Sequence, residues 1–519
     1  HIVAYLRPFL ADAMRSFARP GMTLSAWNGY GASYAGLRQR VWHQVLNGFS
    51  HPSYWYHRYM IRHGDATLSP AGLEFQSIIR EVKSSGLGAL IKGAKWHPSP
   101  VGIHYSTASL IAAHATGTKT PVGDTVFEAN LNGWAQLLRD LGVQPPRAFS
   151  TEQILAGELD ATAVRIFVLP LSQALTDGEV GALVRFVDEG GILVADGRPG
   201  TMHESGVFRE RNPLCDLFGV TFSDGPFERP GSTIAMNAPG EEWSCPLAPL
   251  EAGLRVATDT VLGSSPGVPA TKQVVFGGLA IRSKPGSVSV PSFIVKRHGR
   301  GAAVYLNALV DEYGDMRLRG DDVRPVVRAV KSALTAAGFV PDWDASLPPG
   351  TEFIRYDSGA NNYVGLCRIP GTSKEHGQFH IALPRERHIV DLTGDHTTSS
   401  SAVLAGRLAP GETRLFALLP AAPGPLNVKV SRQPQGLKVE VRLSNPSGTP
   451  RAGAVSIRIL TPEGQEHPAY TANLSIPEGH ARVPIALGLN ERTGTWQVVV
   501  RDVVTGKEAT REIALGKRL

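Results

Sequence analysis

Cysteine is scarce. The 519 residues hold three, Cys215, Cys245 and Cys367, too far apart for a metal-ligand spacing or a disulfide framework. A lone Cys215–Cys245 bridge is the only pairing left open. No apolar stretch reaches the roughly 18 residues that a membrane span needs, so no membrane partner is expected. Charge of one sign is not concentrated: 52 Lys and Arg against 46 Asp and Glu give +6 over the whole chain. No dense basic run appears, which argues against nucleic acid. There is no GxGxxG after Val101–Tyr105 and no GxxxxGK[ST], so no cofactor is expected. His43, His57 and His63 lack the HExxH spacing and a nearby acid, so no metal is expected either. Acids are few at the front: residues 1–100 contain only Asp12, Asp65, Glu74 and Glu81.

What is present is apolar content for several cores, 42% of residues, with 56 Gly and 38 Pro that favour turns and strands. The length fits about three to four domains. Four regions separate by composition: 1–96, rich in aromatics; 97–342, alternating strands and helices; 347–420, strand-rich; and 426–519, strands again, after the linker Pro420–Pro425. The chain begins at His1 inside an apolar segment without a charged n-region or cleavage site. The expectation is a fragment of a longer protein, with localisation open.

In the second region Val101–Tyr105, Arg165–Leu171 and Ile192–Ala195 are apolar runs, as expected of strands buried on both faces. Thr125–Leu141 has helical spacing. Thr176 and Glu179 form a capping box before Val180–Val187, and Gly190-Gly191 ends that helix. Phe293–Lys296 and Ala302–Leu306 predict a hairpin, and Val323–Ala337 a last helix. The alternation predicts an α/β fold with a doubly wound, parallel sheet. Its strand ends carry Ser106-Thr107, Pro170 and Asp196-Gly197-Arg198. Cys215 falls within a helix, not at a strand-to-helix elbow, so amidotransferase or peptidase chemistry is not expected. Asp196 is expected as a turn-forming acid. In the last two regions Leu426–Val430, Leu437–Leu443, Val455–Leu460 and Trp496–Val500 alternate apolar and polar residues, as β-sandwich strands do.

Residues 27–59 hold nine aromatics, including Trp27, Tyr30, Trp42, Trp55 and Tyr56. Sugars stack flat C–H faces on aromatic rings and leave hydroxyls for Asn, His and Arg, so this density fits a carbohydrate cleft. Trp42, on a helix spanning Leu37–Asn47, is expected in the core. Glu74 and Glu81 sit seven apart on a helix, as on a solvated face, and Asp65 lies in a loop. None forms the carboxyl pair of glycoside hydrolysis.

The order of features resembles the C-terminal part of a family 42 glycoside hydrolase (β-galactosidase type) or a close clan relative. Pro20-Gly21-Met22, the strand Thr23–Trp27, the helix Leu37–Asn47, Gly48 and the strand Ser53–Tyr56 look like barrel strand seven, helix seven and strand eight. Asp65–Gly72 leading into Phe75–Lys83 looks like the final barrel helix. Residues 101–200 resemble that family's amidotransferase-like trimerisation domain, and Val390–Gly394 with Leu408–Glu412 its small β domain. Residues 426–519 resemble an immunoglobulin-like module. The resemblance implies a partial (β/α)8-barrel remnant over 1–96, a flavodoxin- or amidotransferase-like trimerisation domain over 97–342, a small β domain over 347–420 and a β-sandwich over 426–519. It implies a retaining glycosidase of β-galactosides or related glycans, and a homo-oligomer, a trimer by resemblance. Trp55 matches the sugar-platform aromatic after strand eight. Asn28, Tyr30, His57 and Trp27 are the other expected sugar contacts. The family's nucleophile Glu ends strand seven, but Leu24–Tyr30 has no carboxylate, and the acid/base Glu would precede His1. Catalytic residues are therefore unassigned, and the chain as given is expected to be inactive. The alternative is a non-catalytic glycan-binding or assembly protein with a degenerate barrel.

Overall fold

The computed structural model describes residues 8–19, 21–28, 34–54, 60–62, 64–115, 125–222, 234–238, 241–245, 247, 251, 253–257, 261–265, 274–276, 279–281, 290–370 and 375–515. The protein is mixed α/β with several sheets. Helix α1 (Pro8–Phe17) precedes strand β1 (Ser25–Asn28), helix α2 (Tyr34–Leu46), strand β2 (His51–Tyr54) and helix α3 (Pro70–Ser85). β1 and β2 pair in parallel, from Ser25 opposite His51 to Asn28 opposite Tyr54. Parallel neighbours need a crossover, and α2 supplies it. Leu37 and Val41 of α2 pack against Phe75 and Ile78 of α3. Ser69 caps α3 by accepting from the Gly72 amide, with Pro70 at the first helical position and Gly86 left-handed at the end, the ordinary stop and start chemistry of a helix.

Next come β3 (Val101–His104), α4 (Val126–Asp140), β4 (Arg147–Phe149), β5 (Ile166–Leu169), α5 (Asp177–Asp188), β6 (Ile192–Asp196), β7 (Val290–His298), β8 (Gly301–Leu306) and α6 (Arg324–Ala336). Across the sheet the order is β4-β3-β5-β6-β8-β7, with the strand Val261–Ser265 outside β7. The first five of these run parallel, and β7 returns antiparallel to β8. Strands buried on both faces need an apolar layer on each. Leu131 and Trp134 of α4 and Val326 and Val330 of α6 cover Ile103, Val168, Val194 and Val304. Leu183 and Val187 of α5 cover Phe167, Leu169 and Leu193. The capping box expected at Thr176 and Glu179 is present at the start of α5. The expected hairpin is β7–β8.

Strands β9 (Thr351–Ser358), β10 (Asn361–Arg368), β11 (Gly377–Asp391), β12 (Thr398–Leu408) and β13 (Thr413–Leu419) form an antiparallel sheet. The short strand Lys95–Trp96 joins it, Trp96 opposite Tyr356. These two residues belong to the first region by composition but extend the sheet of the third. Beyond Pro425, a three-stranded and a four-stranded antiparallel sheet enclose Trp496 with Val439, Ile457 and Val498. This unit docks on the end of α3. Asn473 donates to the Lys83 carbonyl at 2.6 Å, and Arg501 donates to the carbonyls of Ser84 and Ser85. Those are last-turn carbonyls with no partner inside the helix. Val503 and Val504 complete the contact against Leu87 and Leu90.

Candidate functional site

The parallel register of β1 and β2 sets Asn28 beside Tyr54 at their carboxyl ends. In sequence, Tyr30 follows the first of these ends and Trp55 the second. Tyr30, Trp55 and His57 lie outside the described residues, as does the side chain of Trp27, whose backbone is in β1. Strand β1, expected over Thr23–Trp27, is found over Ser25–Asn28, and β2, expected from Ser53, already begins at His51.

Asn28 is the described member of the expected sugar contacts, and its carboxamide is engaged. It donates to Gln44 Oε1 at 3.1 Å and to the Ser53 carbonyl at 3.2 Å, while Gln44 Nε2 returns a bond to its Oδ1 at 3.0 Å. The side chain is buried, so this reciprocal pair locks the end of β1 to α2. A sugar hydroxyl reaching Asn28 would have to displace one of these partners.

Helix α2 is held from two further sides. Toward α3, Arg38 and the Trp42 indole both donate to Glu81, at 2.9 Å for Arg38 Nε and 2.9 Å for Trp42 Nε1. Glu81 is thus a partner of a core tryptophan, not the solvated acid its spacing suggests. On another side, His43 Nε2 lies 2.9 Å from Glu352 Oε2, and Asn47 donates to the same oxygen at 3.1 Å. Glu352 Oε1 accepts from Arg139 Nε at 2.6 Å. Arg139 also grips both oxygens of Asp12, at 2.9 and 2.8 Å, and Arg15 bridges Asp12 to Asn47. Asp12, Arg139 and Glu352 are all buried. Burial alone would raise the Glu352 carboxyl, but His43 and Arg139 hold it well below the ordinary carboxylate range. The same logic keeps Arg139 charged despite its desolvation.

The four acids of residues 1–100 are accounted for. Asp12 is in the buried network, Glu81 is bonded to α2, and Asp65 caps its own turn through Thr67. Glu74 is exposed on α3. None stands at the end of β1 or β2, so this unit presents no carboxyl pair of the kind that cleaves glycosides.

A second location follows from topology. The strand order reverses between β3 and β5, where an open α/β sheet places its ligand. Here the carboxyl ends are filled by the protein's own side chains. His104 Nδ1 lies 3.1 Å from Ser172 Oγ, and His104 Nε2 lies 3.1 Å from Glu179 Oε1. All three residues are buried. The Glu179 carboxyl, which burial would raise, is drawn down to about 2, chiefly by His104. Asp196 at the end of β6 is fully buried, against the expectation of a turn acid. It accepts from Trp134 Nε1 at 2.6 Å, Asn130 Nδ2 at 2.8 Å and the Leu171 amide at 2.6 Å. Desolvation outweighs those donors and pushes its pKa up to about 7. Cys215 is a free thiol, which removes the Cys215–Cys245 bridge, and burial raises its pKa. Cys367 is also free and buried, and its thiol is pushed up to about 12. Neither has the depressed pKa of a nucleophile.

Neither His104–Glu179 nor Arg139–Glu352 was legible in the sequence, because each joins residues with no local pattern. The capping-box role of Glu179 was legible and conceals its second contact. Among the described residues no group of three or more His, Cys, Asp and Glu could hold a metal ion, and no helix is long and apolar enough to cross a membrane.

No protein-family model matches the chain, and no curated protein matches it closely enough to count. Solved structures do resemble it. A GH42 β-galactosidase from G. stearothermophilus superposes with a TM-score of 0.56 at 14% identity, over 79% of this chain and 55% of that one. A β-galactosidase from Bacillus circulans sp. alkalophilus gives 0.55 at 13% identity, over 80% and 58%. An α-L-fucosidase, isoenzyme 2 from Paenibacillus thiaminolyticus, gives 0.55 at 14%, over 78% and 62%. The chain thus spans a little over half the length of these proteins. Over roughly four-fifths of its own length it has a GH42-like fold.

Proposed function

We propose that this chain is the C-terminal portion of a GH42-type glycoside hydrolase acting on β-galactosides or related glycans. Residues 1–96 would be the last strands and helices of a (β/α)8 barrel. Residues 97–342 would be an amidotransferase-like trimerisation domain, 347–420 a small β domain and 426–519 an immunoglobulin-like sandwich. The observation that carries this is the fold likeness to GH42 β-galactosidases across four-fifths of the chain. The β1–α2–β2–α3 unit fits it: within the described residues, its sheet is a bare parallel pair, which is how a piece of a larger parallel barrel would look.

In a complete retaining enzyme two carboxyls about 5 Å apart do the chemistry. In this reading the pair is absent from this chain, Leu24–Tyr30 at the strand-seven position holding no carboxylate, and the chain by itself is inactive. Trp55 stacks the sugar ring, and Tyr30, His57, Trp27 and Asn28 line the hydroxyl side. The α2 brace sets where the ends of β1 and β2 stand. A second reading, a non-catalytic glycan-binding or assembly protein, is favoured by one observation: each acid near β1 and β2 is engaged elsewhere or exposed on α3.

The test is turnover of 4-nitrophenyl β-D-galactopyranoside by this chain and by the longer protein that contains it. The expected result is no turnover by the chain, turnover by the longer protein, and a raised KM on Trp55→Ala. Turnover by this chain alone overturns the reading that its carboxyl pair is absent. Galactoside binding without hydrolysis in the longer protein selects the second reading.

A further inference from the structure

A cleft of about 500 Å³ opens beside the amino-terminal ends of β3, β4 and β5, at the opposite ends of the strands from His104 and Asp196. Its volume is that of a small-molecule site. Its walls include Pro98, Pro145 and Pro146, with Trp96, Arg15 and Arg147 also on the lining. The proline rings are rigid and carry no amide hydrogen. Trp96 is fixed from two sides. The Arg15 guanidinium sits 3.7 Å from the centre of its ring, a cation–π contact, and Tyr356 meets it edge-on at 5.3 Å. Arg15 is itself tied to Asn47 and Asp12 at 2.7 Å each. The Trp96 and Arg15 side of the cleft is therefore held in place by these contacts.

Arg15 is already paired with Asp12, which leaves Arg147 as the cation that an incoming anion can engage. The lining contains two guanidinium groups, and no acid among the described lining residues. Arg147 stacks over Phe149 at 4.6 Å, and its acidic partner Glu158 lies outside the lining, with both side chains partly exposed. A solvent-screened pair of this kind is weakly held, so Arg147 can exchange Glu158 for an incoming carboxylate.

We propose that this cleft binds a small monoanion with a flat apolar body, an aryl carboxylate in chemical class. The ring lies among the prolines and Trp96, and the carboxylate takes a charge-assisted bond from Arg147. This site is separate from any glycan site at the ends of β1 and β2 and stands whether or not that assignment holds.

Isothermal titration calorimetry of the chain with 2-naphthoate, and with neutral 2-naphthylmethanol for comparison, tests it. The expected result is one saturable site per chain for 2-naphthoate. Arg147→Gln weakens it about tenfold while leaving naphthylmethanol unchanged, as loss of one charge-assisted bond requires. Ala163→Trp, at an exposed lining position, fills the cleft and abolishes both. Absence of saturable heat at millimolar 2-naphthoate overturns the proposal. So does undiminished binding in a folded Ala163→Trp variant, or an equal effect of Arg147→Gln on both ligands.

Discussion

Arg139 Nε donates to Glu352 Oε1 at 2.6 Å while its two Nη atoms hold Asp12. One guanidinium on α4 so joins helix α1, 127 residues earlier, to strand β9, 213 residues later. Through His43 and Asn47 the same carboxylate fixes α2, and through Gln44 that helix fixes Asn28. The position of the candidate site is set from outside its own unit.

Replacing Arg139 by Met leaves two carboxylates buried and short of their partner. Breaking a buried pair in this way costs about 3–5 kcal/mol. Urea unfolding should show that loss. Arg139→Lys should fall between, since an ammonium keeps the charge but cannot span Asp12 and Glu352 with a planar fork. Unchanged midpoints in both variants would sink the claim that this network carries stability.

Gln44→Leu removes one half of the reciprocal amide pair and leaves Asn28 Oδ1 buried without its donor. The cost should be about 1–3 kcal/mol, read as a lower thermal midpoint. Asn28→Ala on top of Gln44→Leu should cost less than the sum of the two single changes, because the polar group left unpaired is then gone.

Stability should respond to acid with opposite signs at two buried carboxyls. Glu179 titrates near 2 in the folded protein against an ordinary 4.5. Its contribution is complete above pH 4.5 and is lost as pH falls toward 2. Asp196 titrates near 7 against an ordinary 3.8, so its contribution is complete below pH 3.8 and is lost as pH rises through 7. The stability gap between wild type and Glu179→Gln should be flat above pH 4.5 and narrow below it. That between wild type and Asp196→Asn should shrink from pH 4 to pH 7. Chemical denaturation at intervals of one pH unit reads both, and parallel curves would contradict the assignment.

Gly133 marks the closest approach of α4 to the chain after β8. A Cβ there would stand 1.9 Å from the Val310 carbonyl oxygen, and backbone cannot step aside as a flexible side chain can. Gly133→Ala should destabilise by about 1–3 kcal/mol or more. Gly88, in the helix Leu87–Lys92, has nothing within 4 Å of the point where an added methyl group would stand. Gly88→Ala should stabilise by about 0.5–1 kcal/mol. Differential scanning calorimetry of the two variants should shift in opposite directions.

Local grammar was legible from one dimension. The apolar runs at Val101, Ile166 and Ile192 became strands because a strand covered on both faces buries every side chain and the runs are too short for a buried helix. The Thr176–Glu179 box became the start of α5 because its reciprocal bonds span three residues. The alternating segments beyond Pro425 became a two-sheet unit around Trp496. Long-range polar pairing was not legible. Glu81 looked solvated until α2 brought Arg38 and Trp42 to it, Asp196 looked like a turn acid until α4 laid Asn130 and Trp134 over it, and Lys95-Trp96 joined a strand some 260 residues away.

Period and punctuation, set by backbone geometry within a few residues, were enough to define the helices, the strands and the α/β character. Which carboxylates are buried, which cation neutralises each, and where the ends of β1 and β2 stand are decided by packing. Two groups far apart in the chain acquire a shared dielectric and a shared distance only when the helices between them have docked.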